Sequence, residues 1–424
     1  MNPESFYPLF LKANNVVIDN RKLEKNDIFF AFSGETFNAA TLAEQAVENG
    51  AIAVIVEQEN FAQPEKNIFY VPSTLKFLQD LAVFHREQLT IPIIALTGSN
   101  GKTTTKELIH AVLSENFKVQ YTKGNLNNHI GVPLTLLSIK ADHEIAVVEM
   151  GANHQKEIST LCEIAKPDFG YITNFGKAHL EGFGGFEGVI KGKSEMYTYL
   201  IQNHKTLLVN QQDEIQVEKT KDYDKKITFG TADSDYYFES FSKEHFVGLK
   251  FEQQEALSQL TGNYNFNNLS AAAAFGFHFG ISFQQISHAI SNYLPTNMRS
   301  QIMHKNGKTL VLDTYNANPS SMSESLKNFS TFEGSKTIII GDMLELGAES
   351  EHEHTNILHQ AAQLGFDEII TVGKNFKNTN SHCTAYNDVN DLIEHLKNDA
   401  IGSKNILIKG SRGIALEKAI DFIV

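Results

Sequence analysis

Apolar residues in this chain fall into short unbroken runs, separated by stretches where they recur every three or four positions. Ile93-Ile94-Ala95-Leu96-Thr97 is the clearest run, and Leu108, Ile109, Val112 and Leu113 follow at helical spacing, so a buried strand is predicted to pass through a turn into a helix. Further strands are predicted at 145–149, 170–173 and 206–210, with an alanine-rich helix around 271–274. From about residue 295 the alternation restarts, with strands at 309–313, 337–341, 368–372 and 405–409 and helices at 320–329, 352–364, 389–398 and 414–422. Strand–helix alternation of this kind predicts mainly parallel sheets. Ahead of it, strand-like runs at 27–32, 51–56 and 68–71 and a helical 41–49 make a smaller α/β unit. A helix over 74–88, bracketed by Pro72 and Pro92, leads onward.

The pattern predicts an α/β protein of three domains: a small N-terminal α/β domain (1–88), a central domain with a mainly parallel sheet (89–294) and a C-terminal α/β domain (295–424). The length of 424 residues agrees, being too great for one core. At 42% hydrophobic and 20% charged the composition is that of a globular protein, and no run approaches a membrane span. The N-terminal stretch lacks the basic-then-apolar layout of a secretion signal, so a cytoplasmic chain is expected. Two cysteines far apart in sequence offer neither a disulfide framework nor a metal cluster. A net charge of −14 argues against a nucleic-acid surface, though a locally basic cleft could still receive an anion.

The candidate chemistry lies where runs end, because ligands of parallel α/β sheets bind beyond the carboxyl ends of the strands. After 93–97 comes Gly98-Ser99-Asn100-Gly101-Lys102-Thr103-Thr104-Thr105. Glycines let backbone N–H groups converge on a phosphate, the helix start adds positive potential, Lys102 adds a full charge, and the Thr103 hydroxyl can reach Mg²⁺. With Leu96 where the longer P-loop has glycine, the loop is the short G-x-x-G-K-T form. Glu149 ends the next run as a candidate metal ligand, and His179 follows the run at 170–173. Asn125, Asn127 and Asn128 make an amide-rich loop suited to a sugar or phosphate. Asn263, Asn265, Asn267 and Asn268 precede the alanine-rich helix, more amides than one helix cap requires. In the C-terminal domain Asp313, Asn316, Asn318 and Ser411 follow strands, and in the N-terminal domain the turn after the run at 27–32 holds Ser33, Gly34 and Thr36.

Together these motifs resemble the Mur ligase family over nearly the whole chain. The resemblance rests on the short P-loop, Gly124-Asn-Leu-Asn-Asn128, Glu149-Met-Gly-Ala-Asn-His-Gln155, Ala178-His-Leu-Glu-Gly-Phe-Gly184, Tyr315-Asn-Ala-Asn-Pro319, Gly341-Asp-Met-Leu-Glu-Leu-Gly347 and Lys409-Gly-Ser-Arg412. It implies a Rossmann-like C-terminal domain and an ATP-dependent ligase that forms an amide through an acyl phosphate. It also implies UDP-N-acetylmuramoyl-tripeptide and D-alanyl-D-alanine as substrates and ATP with two Mg²⁺ ions; a monomer is expected, although nothing in the sequence fixes the oligomeric state. Gly98, Ser99, Asn100, Gly101, Lys102, Thr103 and Thr104 would hold ATP, with Asn268 near adenine and Arg299 and Asp313 near phosphates and ribose. Thr103, Glu149 and His179 would reach metal, and Lys193 aligns with a lysine that these ligases carry as a carbamate. Lys102, Glu149, His179 and Lys193 would be the catalytic set. Arg21, Ser33, Gly34 and Thr36, in a uridine-nucleotide-binding domain, would touch substrate, as would Asn125, Asn127, Asn128, Asn316, Asn318 and Ser411.

The chain departs from the family pattern at Tyr264, Leu312, His129 and Ala40. Two rival readings stand beside the main one. The first is a sister ligase acting on a folate or a shorter muramyl peptide. The second is a nucleotide-binding partner without catalysis, although Lys102, Glu149, His179 and Lys193 are all present.

Overall fold

The structure is a computed structural model that describes residues 1–34, 36–295, 298–379 and 383–423. Glu35, part of the N-terminal turn noted above, lies outside the described residues.

Four strands (Val16–Val17, Ile28–Phe30, Ala53–Val56, Ile68–Tyr70) pair in parallel in that order and form the N-terminal sheet. The helix Thr74–Gln88, capped by the Ser73 side chain on Lys76 N–H, buries Phe77, Leu78, Leu81 and Ala82. Its buried Arg86 bonds the carbonyls of Ala165 and Lys166 and the Asp168 carboxylate at 2.8 Å, so this helix fastens the first sheet to the second.

The central sheet runs Lys226–Phe229, Thr206–Asn210, Phe169–Ile172, Ile93–Thr97, Ile145–Glu149, Val119–Tyr121, all parallel. Ile93–Thr97, first of the six in sequence, sits inside the sheet with later strands on both sides, and this switch of direction opens a crevice above its end. An antiparallel sheet (Glu239–Lys243, Phe246–Phe251, Gln254–Thr261) stands apart from it. The alternation did not predict that sheet, because every residue of Glu239–Lys243 except Phe241 is exposed and the strand carries little apolar signal.

In the C-terminal sheet the order is Gln301–Lys305, Lys308–Asp313, Asn405–Lys409, Lys336–Gly341, Glu368–Val372, Thr384–Tyr386, parallel except for the first pair. The helix expected over 414–422 is broken into the 3-10 turns Arg412–Ile414 and Leu416–Ala419 and the short helix Ile420–Ile423, because Ala415 takes a left-handed φ of 57° that interrupts helical bonding. One apolar cluster runs from Phe6 and Phe30 through Ala95 and Val148 to Ile338 and Leu407, so the N-terminal, central and C-terminal sheets share it. No helix among the described residues is long and apolar enough to cross a membrane.

Candidate active site

The strand ends of the central and C-terminal sheets face each other across a cavity of about 920 Å³, large enough for a nucleotide. On the central side Gly98 takes a φ of +145°, which side-chain-bearing residues rarely adopt, and a Cβ there would lie 1.9 Å from the Thr173 hydroxyl. Only glycine lets the loop pass so close to the next strand. The loop is then laced to that strand's end: Ser99 Oγ donates to the Gly176 carbonyl at 2.9 Å, Asn100 N–H to Asn174 Oδ1 at 3.0 Å, and Thr173 Oγ1 to the Asn100 carbonyl at 2.6 Å. Lys102 curls back to donate to the carbonyls of Gly98 (2.8 Å) and Ser99 (3.3 Å). Burial pushes its amine down to about 8, with the Glu149 charge opposing and the Arg299 charge reinforcing.

Glu149 is buried at the end of Ile145–Glu149. Its Oε1 accepts from Asn127 Nδ2 at 2.8 Å and from Thr103 Oγ1 at 3.3 Å, while Oε2 has no hydrogen-bond donor. The nearest cation is Lys106, wholly buried, its Nζ 3.5 Å from Oε2 and bonded to the Gly124 carbonyl at 3.2 Å. The expectations did not include Lys106. Its signal was a lysine three residues before Ile109 and seven before Leu113, on the apolar stripe of the P-loop helix Lys102–Leu113.

Asn268 joins the P-loop helix to a buried amide relay. It accepts from Thr105 Oγ1 at 2.9 Å and donates to Asn265 at 2.8 Å, and Asn265 donates to the Thr261 carbonyl at 2.7 Å. Asn128 lines the cavity but accepts from Ile130 and Gly131 N–H, ordering the start of helix Gly131–Leu137.

From the C-terminal side come Arg299, Asp313, Asn316, Asn318, Tyr315 and Lys409. Lys409 pairs with Asp313. The Arg299 guanidinium carbon lies 3.6 Å from the centroid of the Tyr315 ring, and its buried Nε has no acceptor among the described residues. Asn318 Nδ2 reaches Asn100 Oδ1 at 2.7 Å, tying the P-loop to the cap of helix Pro319–Ser330.

Of the expected residues, Ser99, Asn100, Gly101, Lys102, Thr103, Thr104, Asn125, Asn127, Asn128, Glu149, His179, Asn268, Arg299, Asp313, Asn316 and Asn318 line this cavity. The others do not. Lys193 sits behind the wall in helix Phe186–Gln202, buried, donating to the Ala152 carbonyl at 3.2 Å. No carboxylate among the described residues pairs with it, and burial, reinforced by the Lys102 charge, holds its amine well below the lysine range. Ser411 braces two loops instead, donating to the Ala317 carbonyl and accepting from Leu344 N–H. Ser33, Gly34 and Thr36 lie at a strand end of the first sheet, away from the cavity, where Ser33 donates to Asn38 Oδ1 at 2.8 Å. Arg21 is exposed and engaged by both oxygens of Asp19.

Comparison with known proteins decides the family. The Mur ligase middle domain matches residues 96–276, and the Mur ligase glutamate ligase domain matches residues 298–412. The chain belongs to the Mur ligase family. It is 34% identical to the UDP-N-acetylmuramoyl-tripeptide--D-alanyl-D-alanine ligase of Bacillus subtilis (strain 168), over 97% of this chain and 93% of that protein. Among solved structures it superposes on MurF from Acinetobacter baumannii with a TM-score of 0.87 at 30% identity, covering 100% of this chain and 98% of that one. MurF ligase from Thermotoga maritima in complex with ADP gives 0.84 at 25% identity, covering 98% and 97%.

Three of the four departures from the Mur ligase pattern have local explanations; nothing in the structure explains His129. Tyr264 bonds Ser300 Oγ at 2.7 Å through its hydroxyl, linking the central domain to the C-terminal segment. Leu312 and Ala40 are buried in apolar clusters of this Mur ligase, where a charged or larger polar side chain would lack a partner.

Proposed function

We propose that this Mur ligase joins D-alanyl-D-alanine to UDP-N-acetylmuramoyl-tripeptide with ATP hydrolysis, working in the cytoplasm. The observation that carries the proposal is the single cavity in which the P-loop and Glu149 face Arg299, Asp313 and Asn318. Full-length similarity to the Bacillus subtilis ligase of that name supports the choice of substrates over the sister-ligase reading.

The donor set fits magnesium. Glu149 Oε2 is a buried carboxylate oxygen without a donor beside the Thr103 hydroxyl, a pair of hard oxygen ligands. Thr103 and Glu149 would hold one ion, and His179 with Lys193 as its carbamate would hold the second. The Lys193 site fits that modification, since burial favours the neutral amine, which is the form that adds carbon dioxide. Neutralising the phosphate oxygens is the chemistry magnesium supplies when bound.

The protein's own groups then act in order. Backbone N–H groups of the P-loop and Lys102, turned from its loop carbonyls, cradle the phosphates, and Arg299, which has no carboxylate partner among the described residues, meets the terminal one. A carboxylate oxygen of the tripeptide attacks the γ-phosphorus, the bond to ADP breaks, and an acyl phosphate forms. The amine of D-alanyl-D-alanine next attacks the acyl carbon and loses a proton as the carbon–oxygen bond to phosphate breaks. Closure between the two sheets excludes water that would otherwise hydrolyse the acyl phosphate.

The test is phosphate release by the purified protein with ATP, Mg²⁺ and the UDP-linked tripeptide, comparing D-alanyl-D-alanine with single amino acids. Release that requires the dipeptide, with the pentapeptide product confirmed by mass, is expected. Release with a single amino acid instead would support a sister ligase, and none with any acceptor despite nucleotide binding would support the non-catalytic reading.

A further inference from the structure

His179 belongs to the central domain, yet its Nδ1 is paired with the carboxylate of Glu345, which the C-terminal domain supplies. Both residues hold a left-handed backbone, with φ of 54° and 64°, a conformation costly for side-chain-bearing residues that persists only where surrounding contacts impose it. Those contacts are present. Glu181 N–H donates to the Glu345 carbonyl at 3.4 Å, and at Gly347 a Cβ would meet Glu181 Cβ at 3.1 Å. Lys177 pairs with Glu353 at 2.6 Å and its N–H bonds Ser320 Oγ at 3.0 Å, so both sides of the segment 177–181 are seated on the C-terminal domain. The His179 ring lines the cavity, and Nε2 has no hydrogen-bond partner among the described residues.

We infer that Glu345 is a positioning residue that makes His179 a metal ligand only when the C-terminal domain is docked. A carboxylate on Nδ1 holds the proton there, which leaves the Nε2 lone pair free and aimed by a fixed ring. Undocking removes the carboxylate, releases the ring and lets the proton move between the two nitrogens. The second metal position is thereby assembled from two domains, although only one of them supplies the ligand. The inference rests on the reading above that His179 binds metal.

The test uses full-length protein with Mn²⁺ as the probe and a non-hydrolysable ATP analogue present, counting bound ions by electron paramagnetic resonance. The wild type is expected to bind two ions per chain. Glu345→Ala is expected to keep one and weaken the other about 10- to 100-fold, the range for losing such a supporting carboxylate. Glu345→Gln, whose amide oxygen still accepts from Nδ1–H, should weaken it less. Nitrogen-15 NMR of labelled imidazoles should show His179 protonated at Nδ1 in the wild type and a mixture of tautomers in Glu345→Ala. Unchanged thermal midpoints would show that the variants are folded. If His179→Ala weakens one ion and Glu345→Ala weakens none, with its tautomer unchanged, the positioning role is overturned while His179 stays a ligand. If His179→Ala binds both ions like the wild type, the ligand assignment itself falls, and this inference with it.

Discussion

Lys106 offers the sharpest test of the site's electrostatics. Its ammonium is completely buried, 3.5 Å from Glu149 Oε2 and 3.8 Å from Glu107 Oε1. At an effective dielectric constant of about 20, a pair at that separation attracts by roughly 4–5 kcal/mol. Replacing Lys106 by Met keeps the volume and leaves Glu149 buried without its cation. Breaking one side of a buried pair costs about 3–5 kcal/mol, and losing the bond to the Gly124 carbonyl adds about 1 kcal/mol. For a chain of this size melting as one unit, that should lower the thermal midpoint by roughly 4–7 °C in a chelator-containing buffer. The double variant Lys106→Met/Glu149→Gln should recover more than half of the loss, because no lone charge remains. Mg²⁺ with ADP should raise the midpoint of Lys106→Met by more than that of the wild type, since the metal takes the place of the missing cation. Scanning calorimetry of the three proteins decides the matter. A single variant within about 1 kcal/mol of wild type, or a double variant less stable than Lys106→Met, would refute the reasoning.

Three further outcomes are expected. Lys193→Ala should nearly abolish turnover while short carboxylic acids partly restore it, as read by phosphate release; full unrescued activity would show that another lysine is the relevant one. Tyr315→Leu should weaken ADP binding about 2- to 30-fold, the worth of a stacked guanidinium, while Tyr315→Phe leaves it near wild type; calorimetric titration would expose equal losses in both, which stacking does not allow. His110 is pushed down to about 4, mainly by burial and then by the charges of Lys123 and Lys106. Its folded value thus lies below the unfolded one near 6.5, the unfolded chain binds more protons between the two, and stability falls as pH drops through that window. Because the ring is partly exposed, its share is about 1–2 kcal/mol, so the fall in midpoint between about pH 7.5 and about pH 4.5 should be smaller in His110→Phe than in wild type.

Much of the cavity could be read from the chain because parallel sheets put chemistry at strand ends, and strands announce themselves as apolar runs. Glu149 and Asp313 each end a run, and Gly98 and His179 follow one closely. Resemblance rather than spacing singled out Lys193 and Arg299, since a buried lysine and a stacked arginine look like solvated ones in sequence. The contacts across domains could not be read at all. Nothing near His179 names Glu345, 166 residues away, because that pairing depends on how two sheets dock. The break at Ala415 was equally hidden, since alanine ordinarily favours the helix that it interrupts there.

The apolar cluster shared by the N-terminal, central and C-terminal sheets bears on how this enzyme comes apart. A boundary visible in strand order is not a boundary in free energy when side chains from Phe6 to Leu407 exclude water together. A chain severed near residue 294 would leave each fragment with a wet hydrophobic face, so neither should behave as an autonomous module. Heating should accordingly yield broadly cooperative melting rather than stepwise loss of three units, and limited proteolysis should find few stable intermediates to trap.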